Sequence, residues 1–347
     1  MRLTPDILAV LACPLCGGSL TADPRETAVD GHVMEGDLAC ACGRRYAIRG
    51  GVPRLSPDVQ IEAVEQTVHA FGYQWHRVDK ALKDTRFNAP EVFLDFIRPV
   101  QPEWFRGKVV LDAGCGTGRF TLCAAAFGAA LAVGLDLSTA VDVAFANTRH
   151  LPNVVIIQGD LLRLPVAPVI DYAFSVGVLH HTADPRGAFL QMASKVVPGG
   201  SVSAWVYARE HNGWIIYGLN PIRRVTSRLP RLLLLAASYA LAAPLMLVVK
   251  AIYGPVSRAP ALAWMRRGLF YFEYMAFLSQ FNYPTLAYII FDHAVPVIAE
   301  YIRYDDFAEW FRAVGLERAV ITMRGGNSWR GFGEIPDPQT RIPDPKP

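Results

Sequence analysis

A series of alternating glycines gives this chain its clearest chemical signal. Residues 109–111 have the apolar, β-branched composition of a strand. Gly114, Gly116 and Gly118 follow, and residues 121–127 then have helical character. Glycine allows a sharp turn, and it allows a ligand to approach the backbone where a Cβ would block it. The sequence therefore predicts a strand, a tight turn and a helix that together bind a small polar ligand.

Acidic residues follow the next two predicted strands. Asp136 ends a second apolar strand, at a spacing suited to the two hydroxyls of a ribose, and Asp160 ends a third. Open parallel sheets bind ligands at the carboxyl ends of their strands. A carboxylate is costly to bury without a partner, so these acids are candidate ligand-binding groups. Their alternative role is to cap helices in a nucleotide-binding α/β domain of another kind.

The order of these motifs resembles the class I S-adenosylmethionine-dependent methyltransferases, and most closely their small-molecule, type-11-like branch. The resemblance covers residues 106–207 and includes the glycine loop, both acids and the motif VLHHTADP after a fourth strand. It implies an α/β fold, namely a Rossmann-like class I methyltransferase sheet. It also implies S-adenosyl-L-methionine as cofactor. Residues 202–207 form the expected fifth strand, and residues 304–335 close the fold with a helix and an antiparallel strand pair.

The resemblance also implies roles for individual residues. In the family, the acid at Asp112 faces the methionine amino group, Asp136 binds the ribose, and Asp160 binds the adenine amine. Leu161 would donate its N–H to the adenine ring, while Leu137 would lie against the adenine face. Residues 71–75 resemble the family's FGYxW motif, and they contain Tyr73. In relatives, an aromatic residue of this segment can face the methionine end of the cofactor. The alternative is that Tyr73 only packs its own helix on the sheet. The implied cofactor-binding residues are Asp112, Gly114, Cys115, Gly116, Asp136, Leu137, Asp160, Leu161, Ser175 and Tyr73.

Two adjacent histidines are the catalytic candidates. His180 and His181 follow the fourth strand, on the side where the resemblance puts the transferred methyl group. Because imidazole titrates near neutrality, either residue could accept a proton from an acceptor hydroxyl or amine. Methyl transfer depends mainly on in-line positioning, so the pair could instead only shape the pocket.

Cysteine spacing points to a second domain at the start of the chain. Cys13 and Cys16 form one pair, Cys40 and Cys42 form another, and each pair is followed by glycine. Four thiolates can close a tetrahedral zinc site, on which such a small ribbon would depend for folding. The segment resembles the Trm112-like zinc-binding domain, although the second pair has one intervening residue where that family usually has two. A tighter zinc site, replacement of one thiolate by His32, and loss of the metal all remain open.

A long insert separates the fifth strand from the end of the core. Residues 211–272 contain no acid and carry a charge of +8, and residues 232–249 are eighteen uncharged residues in a row that include Pro244. The run is just long enough to span a bilayer, but basic residues flank it on both sides. We expect contact with the anionic cytoplasmic leaflet, with a soluble lid or a true span as the alternatives. The basic residues are Arg223, Arg224, Arg228, Arg231, Lys250, Arg258, Arg266 and Arg267.

Composition is consistent with several domains in the cytoplasm. The 347 residues are 52% hydrophobic, and Cys115 and Cys123 show no pairing pattern, which indicates a reducing compartment. An apolar run before Cys13 is too short for an export signal. The predicted parts are a zinc ribbon (1–57), an N-terminal helical cap (58–106), the methyltransferase core (107–208), a helical substrate cap (209–303), the end of the core (304–335) and a disordered proline-rich tail (336–347).

These features predict a cytoplasmic methyltransferase in peripheral contact with the inner leaflet. The expected acceptor is a small lipid-like or lipid-linked molecule, because the insert is both apolar and basic. The net charge of +3 and the spacing of the insert's basic residues argue against a nucleic-acid partner. The alternatives are an rRNA or tRNA base methyltransferase and a non-catalytic scaffold that keeps the fold.

Overall fold

The computed structural model describes residues 1–56, 89–226, 229–294 and 299–338. Tyr73, Arg228 and most of the proline-rich tail lie outside the described residues. The N-terminal part begins with helix α1 (Pro5–Val10) and continues as a four-stranded antiparallel sheet in the order β1-β2-β3-β4. Its strands are β1 (Leu20–Thr27), β2 (Val33–Cys40), β3 (Arg45–Arg49) and β4 (Val52–Pro53).

The larger sheet has seven strands in the order β10-β11-β9-β8-β5-β6-β7. Neighbouring strands from β9 to β7 run parallel, whereas β11 is antiparallel to both β9 and β10. The strands are β5 (Val109–Ala113), β6 (Leu131–Asp136), β7 (Val154–Gln158), β8 (Ile170–Val176), β9 (Val196–Tyr207), β10 (Glu317–Arg324) and β11 (Ser328–Glu334). This topology agrees with the predicted class I sheet and its antiparallel end.

Helices cover both faces of this sheet because its central strands are buried on both sides. One face packs an aromatic cluster that includes Phe93, Phe105 and Phe174, and the other packs Phe189 and Phe311. The covering helices are α2 (Pro90–Phe96), α3 (Arg119–Ala126), α4 (Ala140–Thr148) and α5 (Pro185–Ala193).

The insert after β9 is helical, as predicted. Its helices are α6 (Asn220–Thr226), α7 (Arg231–Val248), α8 (Gly254–Arg258), α9 (Phe272–Leu278) and α10 (Tyr283–Ala294), and α11 (Tyr304–Val314) then returns to the core. Helices α7 and α10 pack on each other through a separate cluster that contains Ala242, Leu286 and Ala287. Gly315 ends α11 in the left-handed conformation.

Within the described residues, one continuous helical stretch, Arg231–Arg258, has the length and composition to cross a membrane. Only 22% of its most apolar window is buried. In α7, the buried positions Leu234, Ser238 and Ala242 recur every fourth residue, so a single narrow stripe faces the protein. Leu241 and Leu247, on the remaining surface, are 60% and 71% exposed.

The ribbon joins the larger sheet directly. Beyond β4, Arg54 forms a parallel bridge with Gln158, and before β1, Leu11 forms an antiparallel bridge with Val166. Arg54 also pairs with Asp142 at 2.5 Å. The N-terminal part is therefore fastened to the β7 edge of the catalytic sheet.

Candidate functional site

A cavity of about 320 Å³ lies at the carboxyl ends of β5, β6, β7 and β8. This volume is in the range of small-molecule sites. The glycine loop and the ends of β6 and β7 line part of the cavity, and residues of the insert, of β9 and of β10 line the rest. The predicted site residues that line it are Gly114, Cys115, Gly116, Asp136, Leu137, Asp160, Leu161 and His181.

The glycine loop follows β5 in the conformation that the sequence predicts. Gly114 has a φ of +98°, and a Cβ built there would lie 2.3 Å from a methyl group of Val178. A side chain at this position would therefore be strained and would also collide with the turn after β8. The close approach keeps the β5 loop against that turn and leaves the backbone of Gly116 at the cavity wall.

Asp136 ends β6 beside the glycine loop. Its carboxylate accepts hydrogen bonds from the backbone N–H of Gly116 at 3.0 Å, and from the N–H and hydroxyl of Ser138 at 2.8 and 2.7 Å. Burial raises the pKa of Asp136 above its ordinary value, although the bonds from Ser138 and Gly116 oppose that shift. These bonds fix the carboxylate at the cavity wall, where its remaining lone pairs could accept ribose hydroxyls.

Asp160 lies after β7, where its side chain accepts a hydrogen bond from the N–H of Leu162 at 2.9 Å and caps a short 3₁₀ turn. The adjacent Leu161 is buried and also lines the cavity. Asp160 and Leu161 therefore line the same cavity as Asp136. Binding of one nucleoside by both acids requires this arrangement.

Asp112 and Ser175 are not among the described residues that line the cavity. The hydroxyl of Thr121 donates to Asp112 at 2.7 Å, and the Ser175 hydroxyl donates to the carbonyl of Ala113 at 2.7 Å. Burial raises the pKa of Asp112 to about 7, with the charge of Asp136 adding to the increase. The side chains of Asp112 and Ser175 are therefore buried and hydrogen-bonded within the protein, to Thr121 and to the backbone of Ala113.

The structure separates the two histidines. His181 lines the cavity, whereas His180 is fully buried, and neither ring nitrogen of His180 has a hydrogen-bond partner among the described residues. Burial lowers the pKa of His180 far below its ordinary value, with His181 and Arg223 contributing. His180 therefore packs under the site, in ring contact with Tyr207 at 4.0 Å, and His181 alone of the pair can face a bound acceptor.

Sequence reasoning missed several aromatic and polar residues that also line the cavity. Tyr207 ends the fifth strand, so a rule extending each strand to its last residue would have found it. The others lie in the insert and in β10, where no motif distinguishes them from packing residues. These cavity-lining residues are Tyr207, Tyr274, Phe277, Tyr288, Asp292, His293 and Arg324.

The four ribbon cysteines meet away from the cavity. Their Sγ atoms all lie within 4.8 Å of one another, with Cys16 to Cys40 at 3.4 Å and Cys13 to Cys42 at 3.8 Å. Four thiolates bound to one zinc at about 2.3 Å would lie about 3.8 Å apart, so this donor set fits a closed tetrahedral site. His32 is not part of the cluster and instead packs against the ring of Phe145, with centroids 5.4 Å apart.

Comparison with known families agrees with both predicted domains. Residues 111–204 match the model described as "Methyltransferase domain", and residues 4–51 match the one described as "Trm112p-like protein". The chain contains a methyltransferase domain joined to a Trm112p-like domain. The predicted resemblance and fold class are confirmed.

Curated relatives of the methyltransferase domain act on RNA, according to their names. The chain is 35% identical over 101 residues to the tRNA U34 carboxymethyltransferase of Ruthia magnifica subsp. Calyptogena magnifica, a match that covers 28% of this chain and 32% of the relative. The protein of the same name from Sodalis glossinidius (strain morsitans) is 33% identical over 100 residues, covering 28% and 31%. The chain thus matches about a third of the length of these relatives.

Among solved structures, the chain is similar to a component of the complex between the Haloferax volcanii Trm112 methyltransferase activator and a methyltransferase. The sequence identity is 16%, the TM-score is 0.44, and the match covers 80% of this chain and 100% of that one.

Two predictions are contradicted. The relatives named tRNA U34 carboxymethyltransferase overturn both the lipid-like acceptor and the argument against a nucleic-acid partner. The physical error was to read acceptor chemistry from the insert's surface composition. Arg223, one of the basic residues in that argument, is only 5% exposed and donates to the carbonyl of His293 at 2.7 Å, so its role is internal.

Proposed function

We propose that this chain is an S-adenosylmethionine-dependent methyltransferase whose acceptor is a base of tRNA. The observation that carries the proposal is that one cavity is lined both by the acids and glycine backbone of the methyltransferase domain and by aromatic rings, several of them from the insert. The wall formed by the methyltransferase domain has the acids and glycine backbone that a nucleoside cofactor needs, whereas the insert supplies aromatic rings. A donor and a planar acceptor would therefore meet in the same enclosed space.

S-adenosylmethionine would be held by Asp136 through its ribose, by Asp160 and Leu161 through adenine, and by the backbone of the glycine loop. Once bound, it supplies an electrophilic methyl group on a sulfonium. Zinc would be held by the four ribbon cysteines, where a closed site has no position for substrate. Its contribution would be to the folding of the Trm112p-like domain.

Aromatic rings at the cavity support a planar acceptor. Tyr207, Tyr274 and Phe277 line the same space as His181. Stacking on a single aromatic side chain contributes about 1–3 kcal/mol per base and tolerates any base. A base inside a helix cannot reach an enclosed cavity, so the acceptor would be a base in a loop or one turned out of its stack.

The names of the relatives support tRNA as the nucleic acid. These relatives match only the methyltransferase domain, which would bind the methyl donor. The proposed acceptor therefore also depends on the aromatic residues that line the cavity. The relatives are named for carboxymethyl transfer. The experiment must therefore also determine whether this chain transfers a methyl or a carboxymethyl group.

The test incubates the full chain with S-adenosylmethionine labelled in the methyl group and total tRNA from cells that lack the gene. Label should enter the tRNA, and nucleoside mass spectrometry should find one base heavier by a methyl group. Asp136→Ala should abolish incorporation, whereas Glu26→Ala, which changes an exposed ribbon acid, should leave it unchanged.

Binding of S-adenosylhomocysteine without any labelled RNA would contradict the tRNA acceptor while supporting the donor site. If S-adenosylhomocysteine does not bind, the proposed methyltransferase activity is contradicted. A base heavier by a carboxymethyl group, formed when a carboxylated donor is added, would assign that group instead of methyl.

We also propose that the enzyme is cytoplasmic and touches a membrane through α7. Leu232, Leu233, Leu241 and Leu247 are each between 56% and 71% exposed, and Trp264 is 75% exposed. Exposed apolar surface of this kind, flanked by basic residues and free of acids, fits the boundary between head groups and acyl chains. Vesicle binding tests this contact independently of the acceptor.

A further inference from the structure

The insert brings a tyrosine and a histidine together at the aromatic wall of the cavity. Tyr274 comes from α9 and His293 from the last turn of α10, nineteen residues apart in sequence. The Tyr274 hydroxyl and Nε2 of His293 are 2.9 Å apart, and both residues line the cavity that contains Asp136 and His181. They form a hydrogen-bonded pair of titratable side chains that borders the same cavity as the glycine loop.

We infer that Tyr274 and His293 form a proton relay that receives the acceptor's proton during group transfer. This inference rests on the proposed transfer from S-adenosylmethionine. Tyr274 is assigned the contact with the acceptor, and His293 acts through Tyr274, orienting its hydroxyl and accepting its proton transiently as the sulfonium charge is lost.

The surroundings of His293 keep its imidazole neutral, so Nε2 is free to accept the hydrogen bond of the Tyr274 phenol at 2.9 Å. Burial lowers its pKa to about 4, with Arg223 and His181 contributing, so the ring is neutral at physiological pH. Its Nδ1 is buried without a hydrogen-bond partner among the described residues, which leaves the bond through Nε2 to orient the ring. The titratable and charged groups around it are Tyr274, Tyr207, His181, Arg223 and the neighbouring Asp292.

The proposed step conserves atoms and charge. The acceptor atom's electron pair forms the bond to the transferred carbon, while the electrons of the carbon–sulfur bond stay on sulfur. The acceptor's proton passes to the oxygen of Tyr274, whose own proton passes to Nε2 of His293. The positive charge of the sulfonium disappears as the imidazolium forms, so the total charge in the cavity does not change.

The position and partner of Tyr274 distinguish its hydrogen bond to His293 from one that only joins two helices. Tyr283 provides such a link, because its hydroxyl donates to the carbonyl of Tyr239 at 2.7 Å and joins α10 to α7 away from the cavity. Tyr274 has a titratable partner and borders the cavity. Tyr283→Phe is therefore the matched control, since it removes a phenol hydrogen bond from the same helical insert.

The test measures three properties of Tyr274→Phe, His293→Gln and the control in the full chain. With total tRNA and labelled S-adenosylmethionine, kcat should fall at least tenfold in both variants, and the solvent isotope effect on kcat should be lost. The affinity for S-adenosylhomocysteine, measured by calorimetry, should change less than twofold. Tyr283→Phe should retain kcat and the isotope effect.

Nitrogen NMR of the histidine-labelled chain gives a readout that needs no acceptor. His293 should be neutral at pH 7 with the proton on Nδ1, and Tyr274→Phe should shift its Nε2 resonance. A proton on Nε2 would overturn the relay even if a variant fails to fold, and so would a kcat within twofold of wild type. Failure of the wild type to label RNA would instead contradict the proposed function and leave the NMR result to judge the relay.

Discussion

Arg54 of the ribbon donates a hydrogen bond to the side-chain carbonyl of Gln158 at 3.1 Å, and Gln158 in turn donates to the backbone carbonyl of Leu137 at 2.9 Å. Leu137 directly follows Asp136. The Trm112p-like domain is therefore connected by two consecutive hydrogen bonds to the loop that would bind the ribose.

We expect Arg54→Ala to weaken binding of S-adenosylhomocysteine without unfolding the catalytic sheet. A hydrogen bond contributes about 0.5–1.5 kcal/mol, so the loss should be about two- to tenfold in affinity. Calorimetry measures it. Arg25→Ala is the control, because Arg25 pairs with Asp37 inside the ribbon, and equal losses in both variants would contradict a specific connection.

Asp136→Ala should remove most cofactor affinity while the protein stays folded. Two charge-assisted hydrogen bonds to ribose hydroxyls, at about 1.5–3 kcal/mol each, imply a loss of a hundredfold or more. The measurement is titration with S-adenosylhomocysteine, with circular dichroism to verify the fold. An unchanged dissociation constant would rule out the ribose site.

The positions of Asp136 and Asp160 could be predicted because their chemistry follows from topology. Asp136 ends its parallel strand and Asp160 follows the next one by two residues, and such ends meet at one edge of a sheet wherever the strands are correctly identified. The same reasoning could not choose between His180 and His181. A short 3₁₀ turn, Leu179–His181, determines which ring faces the cavity, and sequence spacing does not encode that direction.

The aromatic wall could not be predicted for a different reason. Tyr274 and His293 belong to a helical insert whose composition resembles packing surface throughout. They meet because α9 and α10 fold back over the sheet, and this arrangement depends on contacts between distant helices. Surface composition was a poor guide here, since it led to the wrong acceptor.

The ribbon should bind about one equivalent of zinc through Cys13, Cys16, Cys40 and Cys42. Changing Cys13 and Cys16 together to serine should release the metal and make the first fifty or so residues sensitive to protease, because such a domain has too little core to fold alone. Cys123→Ala, which removes a buried cysteine outside the cluster, should keep the metal. Metal analysis decides, and zinc retained by the double variant would refute this ligand set.

Asp112 should make the protein without cofactor less stable as the pH rises. Its pKa is about 7 when folded and near 4 when unfolded, so the folded state holds the proton more tightly. Stability from this group is present below about pH 4 and is lost as the pH rises to about 7, by up to about 4 kcal/mol. Asp112→Asn, which can still accept from Thr121, should flatten this dependence.

Thermal melts between pH 4 and 8 test the role of Asp112. Glu103→Gln changes an exposed acid in the same way and should follow the wild type. Parallel curves for wild type and Asp112→Asn would mean that burial of Asp112 has no such effect on stability.

Exposed leucines of α7 should control binding to membranes. Leu241 and Leu247 are 60% and 71% exposed, and burial of each in lipid would contribute about 1.5–3 kcal/mol. Changing both to glutamine should therefore weaken co-sedimentation with anionic vesicles at least tenfold. Leu15→Gln, on the ribbon and 47% exposed, should have no effect.

Added salt should weaken wild-type binding to the vesicles without abolishing it, because screening reduces the attraction of the basic residues but not apolar burial. Wild-type protein that stays in the supernatant at every lipid composition would make α7 a surface for something other than membrane.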